Sequence, residues 1–428
     1  MLFQTKAFPS TIIATLNLAR FSQILPWILL LLLFSSRAVA DFTVLIIGFI
    51  FILKSYVERD WAWLQQPWFK ASLLFWVYLL TVNITLSVQP LNSFAYSLFF
   101  IRWPLFAAAI AYWLLNNTQQ QRQFLMVLVV VIAFIVFDTW WQYYFGADLF
   151  GHLKVSADRL TGPFTKPIPG IMLLRVLFIS LFAGLLFARL SAPNRWVLLT
   201  MIALSLGLMT LFITGERMAL LLCLSGAFVI VVGLWFEYAK LRVIIAAGVL
   251  LSVVLLVTTI FLAPEMANRS IYSLLFKLQN FTDSDYGKVF SAAWQAWQQN
   301  FVFGSGFHTY KTVCEQLGVL ASKGMSCTHP HNLYLQIGAE TGIVGLVLFA
   351  YLVLSIYHAA LQPLIKAKAW YVSALTFVVL SVSFWPLIGG ISVLNNWVAA
   401  FVWLGVGWVI AISLKYSSAQ HKANIEYV

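Results

Sequence analysis

Hydrophobic residues in this chain form long runs, without the alternation of apolar and polar positions that is typical of a membrane β-strand. Backbone polar groups in lipid must be bonded within their own segment, so each run is predicted to be a helix. The sequence therefore predicts an all-α polytopic membrane protein, with about twelve transmembrane helices in one integral membrane domain, residues 1–428. The predicted helical cores are residues 22–38, 42–57, 71–88, 97–115, 124–144, 169–189, 196–214, 217–238, 242–262, 332–357, 370–387 and 396–414.

Lysine and arginine residues give an independent prediction of topology, because cytoplasmic loops carry an excess of positive charge. With both termini inside, fourteen of the 26 Lys and Arg residues, Lys6 and Arg189 among them, fall in cytoplasmic segments. This arrangement leaves residues 145–168 and 263–331 outside. The second of these segments, between the ninth and tenth helices, is predicted to be a large periplasmic loop.

Composition excludes a soluble protein, since 62% of residues are hydrophobic, only 9% are charged and the mean hydropathy is +0.89. The net charge of +12 could indicate nucleic-acid binding, but the bases are scattered and no polar domain is apparent. We therefore expect anionic membrane lipids as partners and no nucleic acid.

Basic side chains collect on the predicted outer side without acids to neutralise them. Arg159 and Lys166 frame the stretch RLTGPFTKPIPG, Arg175 follows in the next helix, and Arg217 opens another helix. Lys288 begins the stretch KVFSAAWQAWQQNF, whose aromatic residues recur at helical spacing and predict a helix on the membrane surface. Each base alone could be a lipid-headgroup contact, whereas together they predict a site for a strongly anionic group.

Arg217 is the most informative of these bases. It follows the turn Thr214-Gly215-Glu216 at a helix N-terminus, where free N–H groups and the helix dipole favour an anion. A guanidinium there adds bidentate phosphate recognition. The alternative is a local ion pair with Glu216 or Asp285.

Two histidines stand one residue apart in the stretch HPHNLYLQIGAETGIVGL, residues 329–346. Thr328 is predicted to cap the following helix, with Pro330 in its first turn and His331 at its outer mouth. A helix N-terminus disfavours the imidazolium, so His331 is expected to be neutral and available as a general base. The alternative is that His331 only caps the helix.

The first turns of the same helix carry two further patterns. Asn332, Gln336 and Glu340 recur at helical spacing and predict a polar stripe that extends into the bilayer. Gly338 and Gly342 are predicted to permit close approach of a neighbouring helix.

Metal and disulfide chemistry have weaker signals. Cys327, His329 and His331 form a C-x-H-x-H string, but alternate residues diverge at a helix start, and a catalytic zinc needs a third convergent ligand. No metal and no cofactor are therefore expected. Cys314 and Cys327 both fall in the large outer loop, where an oxidising compartment would allow a disulfide without requiring one.

The motifs around these residues resemble those of the O-antigen ligase family, within the wider group of O-antigen ligases and polymerases. The family pattern of His, then Asn, Ser or Gln, nine residues and Gly-x-x-Gly is matched by His331-Asn332 and Gly342-Ile343-Val344-Gly345. A second mark, Arg with Leu four residues later, is matched by Arg217 and Leu221. Residues 138–151, 159–164 and 300–310 carry further similarity. Where the family often has Arg before the amphipathic helix, this chain has Lys288.

The resemblance implies a GT-C-like fold and an inverting glycosyltransferase of the bacterial inner membrane. It implies transfer of O-antigen from undecaprenyl pyrophosphate to a sugar hydroxyl of lipid A-core during lipopolysaccharide biosynthesis. His331 would be the general base, and Arg217 would stabilise the leaving pyrophosphate without metal. Arg159, Lys166, Arg175, Lys288, His329 and Asn332 would bind substrate.

Three alternatives remain open at this stage. An O-antigen polymerase uses the same donor with a lipid-linked acceptor, and a protein O-oligosaccharyltransferase transfers to protein. A lipid-linked glycan transporter would instead require paired charges at mid-membrane and would not need His331. The sequence gives neither the glycan, the acceptor sugar nor the oligomeric state.

Overall fold

The computed structural model describes residues 18–187, 193–321, 324–387 and 391–426. Two bases used in the topology prediction, Lys6 and Arg189, lie outside these ranges. Over the described residues the chain is helical, and only isolated bridges represent extended pairing. The prediction of an all-α chain is confirmed.

Eighteen α-helices are described, numbered here in chain order. They are α1 Leu18–Ser35, α2 Arg37–Glu58, α3 Pro67–Tyr78, α4 Pro90–Phe100, α5 Arg102–Ala109, α6 Thr118–Phe145, α7 Pro169–Ser180, α8 Ala183–Phe187, α9 Pro193–Ile213, α10 Arg217–Glu237, α11 Arg242–Leu262, α12 Pro264–Ala267, α13 Ser273–Gln279, α14 Asp285–Gln299, α15 Tyr310–Leu317, α16 Leu333–Lys366, α17 Trp370–Phe384 and α18 Asn396–Glu426. A π-helical turn, Leu79–Asn83, extends α3, and another, Asn268–Tyr272, joins α12 to α13.

Nine of the described helical segments are long and apolar enough to cross a membrane, so the chain is a multi-pass membrane protein. Two further apolar helices, Arg20–Ser35 and Trp370–Phe384, are shorter. The predicted span at residues 71–88 corresponds to α3 and its π-helical turn. Every predicted core thus overlaps a helix, while the number of crossings stays a prediction.

Burial distinguishes the centre of the bundle from its edge. In the apolar stretch of α18, 94% of residues are buried, whereas only 11% are buried in that of α11. α18 therefore forms the core of the bundle and packs against α2, α5, α7, α16 and α17. α11 contacts mainly α9 and leaves its other faces for lipid.

Charged groups within the helices have local partners among the described residues. Arg102 forms an ion pair with Asp41 at 3.1 Å, and Asp138 accepts a hydrogen bond from the amide of Leu149 at 2.9 Å. Arg175 is 4% exposed and donates to the carbonyl oxygen of Val382 in α17. These contacts join helices to one another and to loops, and none forms a chain across the bundle.

The large segment between α11 and α16 contains helices α12 to α15 and folds back onto α16. The buried face of α14 consists of Val289, three alanines and Trp297, and the Trp297 ring packs against Gly338. Trp294 and Phe301, which were predicted to share one apolar face with Trp297, are 45% and 44% exposed. Only part of the predicted aromatic stripe therefore faces the protein.

Candidate active site

The first component of the site is the turn that connects α9 to α10. Gly215 has φ +69° and lies so close to the carbonyl oxygen of Asp158 that no Cβ could be accommodated. Glu216 turns back toward α7, where its carboxylate accepts hydrogen bonds from the amides of Gly170 at 2.7 Å and Ile171 at 3.2 Å. The turn therefore caps the N-terminus of α7 and brings two loops and two helices together.

Arg217 and Arg269 brace this turn against the π-helical turn after α12. Arg217 Nε donates to the carbonyl oxygen of Arg269 at 2.8 Å, and its Nη2 donates to Ser273 Oγ at 2.9 Å. In return, Arg269 Nε donates to the carbonyl oxygen of Gly215 at 2.9 Å, and Nη1 pairs with Asp158 at 3.2 Å. The reciprocal bonds hold two guanidinium groups side by side.

A cavity of about 70 Å³ lies at this junction, and we name it the arginine cavity. Its lining includes Arg159, Arg217, Arg269, Glu216 and Tyr286. The guanidinium of Arg159 makes no hydrogen bond to any described residue, although its Nε is buried. Three bases against one acid make the cavity strongly favourable for an anion.

Burial is the main cause of the pKa shifts around this cavity. It raises the pKa of Glu216 to about 7, against the opposing effect of the Gly170 and Ile171 amides and of the nearby arginines. It also lowers the pKa of Arg159, as does the charge of Arg269. Guanidinium groups nevertheless stay charged at physiological pH, so the cavity is positive.

His331 lies directly before the helix, as predicted, but the residues that form the helix start differ from the predicted ones. The helix begins at Leu333, and Asn332 is its N-cap, accepting hydrogen bonds from the amides of Tyr334 and Leu335. Thr328 is therefore not the cap, and Pro330 precedes the first turn. His331 has φ +51°, in the left-handed region, and Leu333 is fixed by a bond from its amide to the Pro386 carbonyl at 3.0 Å. The helix therefore begins after Asn332, because the Asn332 side chain caps it and the Leu333 amide bonds to Pro386, and not at the predicted Thr328 and Pro330.

The ring of His331 contacts two other rings. The ring of Tyr286, which lines the arginine cavity, has its centroid 5.7 Å away, and the centroid of the His329 ring is 4.2 Å away. Both contacts are near edge-to-face. His331 therefore contacts both a ring of the arginine cavity and the ring of His329.

His329 lines a second cavity, of about 380 Å³, which we name the histidine cavity. His308, Tyr310, Gln336 and Glu340 also line it, and Lys166 is a further lining residue. The disulfide between Cys314 and Cys327, with its Cα atoms 5.8 Å apart, joins α15 to the segment that carries His329. This bond connects two walls of the histidine cavity.

Gly342 interrupts α16 below the histidine cavity, with φ +68°. The break lets residues 301–306 pack against the helix: the amides of Ser305 and Gly306 donate to Ala339 and Glu340, and those of Ile343 and Val344 donate to Phe301 and Val302. The prediction that Gly342 serves close helix packing is therefore wrong. A neighbouring loop, rather than a helix, occupies the space because it satisfies the opened backbone groups.

Asn83, in the π-helical turn after α3, fixes this loop from the opposite side. Its Nδ2 donates to the carbonyl oxygens of Phe303 and Glu340 at 3.0 Å each, and its Oδ1 accepts from the amide of Phe307 at 2.7 Å. The Glu340 carboxylate in turn accepts from the amide of His308 at 3.0 Å and from Gln336 at 3.1 Å. The polar stripe on α16 thus organises a loop rather than a path through the bilayer.

The predicted site residues divide into three groups in the structure. Arg159 and Arg217 line the arginine cavity, His329 and Lys166 line the histidine cavity, and His331 and Asn332 lie at the start of α16. Arg175 reaches neither cavity, because its guanidinium is buried against α17. Lys288 lines neither cavity and lies near Asp285 on α14. The pKa of Asp285 is lowered, chiefly by its hydrogen bond with Lys277.

Sequence reasoning missed Arg269, Tyr286, His308 and Tyr310 as site residues. Each lies in the large segment between α11 and α16, where no helical pattern shows which residues fold inward. The alternative pairing of Arg217 was also incorrect, since no ion pair joins it to Glu216 or Asp285 among the described residues.

Over the same residues, no group of three or more His, Cys, Asp or Glu side chains is arranged to hold a metal ion.

Comparison with known proteins gives one family match. The family model described as O-antigen ligase matches residues 202–350, about a third of the chain. This region runs from α9 into α16 and includes Arg217, Arg269, Tyr286, His329 and His331. No curated protein matches the chain. The match covers the motifs at Arg217 and His331, confirms the resemblance predicted from them and supports an assignment to the O-antigen ligase family.

Proposed function

We propose that this protein is an O-antigen ligase. It transfers a polysaccharide from undecaprenyl pyrophosphate to a sugar hydroxyl of lipid A-core, at the periplasmic face of the bacterial inner membrane. The observation that carries this proposal is the position of His331, whose ring contacts both Tyr286 of the arginine cavity and His329 of the histidine cavity. A base between an anion site and a second polar cavity suits transfer from a lipid diphosphate to a hydroxyl.

The proposed topology has twelve crossings, both termini in the cytoplasm and a GT-C-like arrangement, with residues 263–331 as the large periplasmic loop. It is supported by the excess of Lys and Arg in the predicted inner segments. It is also supported by the histidine cavity, whose lining comes from several segments predicted to lie outside: Arg37, Lys166, His308 and Asn395.

Transfer requires one bond to form as another breaks. The acceptor hydroxyl oxygen attacks the anomeric carbon, and the bond from that carbon to the diphosphate oxygen breaks with inversion. The hydroxyl proton passes to His331, and the bonding electron pair leaves with the lipid diphosphate. Arg217, Arg269 and Arg159 stabilise the negative charge that accumulates on this leaving group.

No nucleotide is needed, because the bond between the sugar and the lipid diphosphate already carries the activation energy. The arginine cavity supplies the positive charge that the leaving group requires, so we propose a metal-independent reaction. Lys288 and Arg175 have no direct role in this mechanism, whereas Asn332 positions His331 by capping α16.

The proposal is tested by reconstituting the purified protein in vesicles with a lipid-linked glycan and lipid A-core, without nucleotide and with a chelator. An O-antigen ligase joins one glycan to lipid A-core. A ladder that lengthens on the lipid carrier would instead indicate a polymerase, and glycan attached to protein would indicate an oligosaccharyltransferase. Movement of the lipid-linked glycan across the vesicle membrane without any new glycosidic bond would indicate a transporter.

A further inference from the structure

We propose that the histidine cavity binds the acceptor glycan, and that it selects an acceptor that carries an anionic group close to its reactive hydroxyl. This inference rests on the transferase function proposed above and names a subsite of the same active site. It depends on three properties of the cavity: unsatisfied polar groups, a basic rim and its position beside His331.

Unsatisfied polar atoms in the wall of the cavity indicate a hydroxyl-rich ligand. Tyr310 is 2% exposed, and its hydroxyl has no hydrogen-bond partner among the described residues. His329 Nε2 is also buried and unpartnered within the same part of the chain. A buried polar atom without a partner costs roughly 1–3 kcal/mol, and a ligand that supplies hydrogen bonds recovers this cost.

Two further polar side chains of the cavity, Gln336 and Glu340, are already paired and hold a fixed geometry. Gln336 donates to Glu340 at 3.1 Å and accepts a bond from Ser392 at 2.8 Å. Glu340, 1% exposed, also accepts the amide of His308. Because both Glu340 oxygens are engaged by donors, its charge is partly satisfied from within the protein. The floor of the cavity is thus a preformed polar surface.

Positive charge surrounds the opening of the histidine cavity. Lys166 is exposed and makes no hydrogen bond or ion pair with any described residue. Arg37 lies over the ring of Trp397 at 5.8 Å, and Lys311 is 3.7 Å from Glu315 in a largely exposed pair. Exposed ion pairs are weak, so this rim attracts a phosphate or carboxylate on the ligand.

The position of His329 connects this cavity to the reaction. Burial, together with the proximity of His331, lowers the pKa of His329 to about 4, so its imidazole is neutral at physiological pH. A neutral ring can donate to or accept from a sugar hydroxyl without adding a second charge beside His331. A hydroxyl held at His329 would therefore lie next to the proposed base, whose ring centroid is 4.2 Å from that of His329.

The two cavities also differ in size in the way that two substrates require. The arginine cavity has a volume of about 70 Å³ and includes three arginines in its lining, which suits a diphosphate. The histidine cavity, at about 380 Å³, has room for a sugar ring and its substituents. Donor and acceptor would then meet at His331.

The test measures steady-state kinetics in the reconstituted transfer assay, with lipid A-core and its enzymatically dephosphorylated form as alternative acceptors. Lys166→Glu is expected to raise the KM for lipid A-core at least tenfold, with the donor KM unchanged. Tyr310→Phe, which removes one hydroxyl from a packed ring, is expected to raise the same KM about fivefold. The matched control is Arg195→Glu, an equal change of charge at an exposed position that lines neither cavity.

The dephosphorylated acceptor tests whether the cavity recognises the anionic group itself. Wild-type protein is expected to use it with a higher KM than lipid A-core, and Lys166→Glu is expected to remove most of this difference. If both variants transfer glycan with the wild-type acceptor KM, the histidine cavity is not the acceptor subsite. Absence of transfer by the wild-type protein would instead overturn the proposed function, so the two failures are distinguishable.

Discussion

The arginine and histidine cavities each contribute a ring that contacts His331, and they are built by different means. The arginine cavity is held by reciprocal bonds from the side chains of Arg217 and Arg269 to each other's turns. The histidine cavity is held by backbone bonds between α16, opened at Gly342, and residues 301–306. Two arginines of the first cavity thus also hold its structure together, whereas the side chains of Lys166 and Tyr310 in the second make no hydrogen bond that supports its scaffold among the described residues.

Substitutions in the two cavities must therefore be interpreted differently. A change at Arg217 would remove a proposed anion contact and a structural brace together. A change at Lys166 or Tyr310 would remove a proposed ligand contact with little structural cost. For the arginine cavity, the most useful variants are therefore those that change the structural hydrogen bonds of Arg217 without removing its guanidinium.

The largest effect is expected at the residue between the cavities. Replacing His331 with Asn should lower kcat about 10²–10⁴-fold, the usual contribution of a general base, with little change in either KM. Asn tolerates the left-handed backbone found here, so this variant keeps the turn while removing the base. Transfer at a near wild-type rate, measured in the reconstituted assay, would remove His331 from the mechanism.

A somewhat smaller effect is expected for Arg217→Ala. Loss of a preorganised charged donor to the leaving group should lower kcat/KM for the donor about 10²–10³-fold. Ser273→Ala is the matched control, because it removes the partner of Nη2 and leaves the guanidinium in place. If Ser273→Ala lowers kcat/KM as much as Arg217→Ala does, Arg217 acts as a brace and not as an anion contact.

Gly342→Ala is expected to damage the histidine cavity alone. Gly342 has φ +68° and ψ −173°, a backbone conformation that is essentially restricted to glycine and costs other residues on the order of 1–3 kcal/mol. The new Cβ would also overlap the Val302 carbonyl. We expect a lower Tm and an approximately tenfold loss of transfer, with donor binding retained. Gly48→Ala in α2, where the nearest atom is an ordinary contact at 3.5 Å, should leave both Tm and transfer unchanged. Loss of donor binding in Gly342→Ala would show that the two cavities are not independent.

The sequence predicted the helices well because long apolar runs report directly on burial in lipid. It also located Arg217 at a helix start and His331 directly before one, because local sequence signals indicate where a helix begins. It could not predict Arg269, Tyr286 or Asn83, whose roles arise when separate segments fold together. Lys166 and Arg175 were grouped with Arg159 because all three are basic and close in sequence. In the structure, Lys166 lines the histidine cavity instead, and Arg175 is buried in α7 against α17.

The smallest expected effect is a dependence of donor binding on pH. The pKa of Glu216 is about 7, so its carboxyl is mainly protonated below that pH and ionised above it. Ionisation adds a negative charge beside Arg159 and Arg269, and donor binding should weaken as pH rises. Two unit charges 4 Å apart interact by about 1 kcal/mol in water, which corresponds to roughly a fivefold change in donor Kd between pH 6 and pH 8. Glu216→Gln should show a flat profile. An unchanged profile in that variant would assign the titration to another group.

The most direct test of the central claim is a cryo-EM structure of the protein with a lipid-linked glycan diphosphate bound. The account predicts the diphosphate between Arg159, Arg217 and Arg269, with the first sugar near the ring of Tyr286 and its anomeric carbon facing His331. The face of that carbon opposite the diphosphate should open toward His329 and the histidine cavity. A diphosphate bound elsewhere, or a His331 ring separated from the anomeric carbon by protein, would contradict the account.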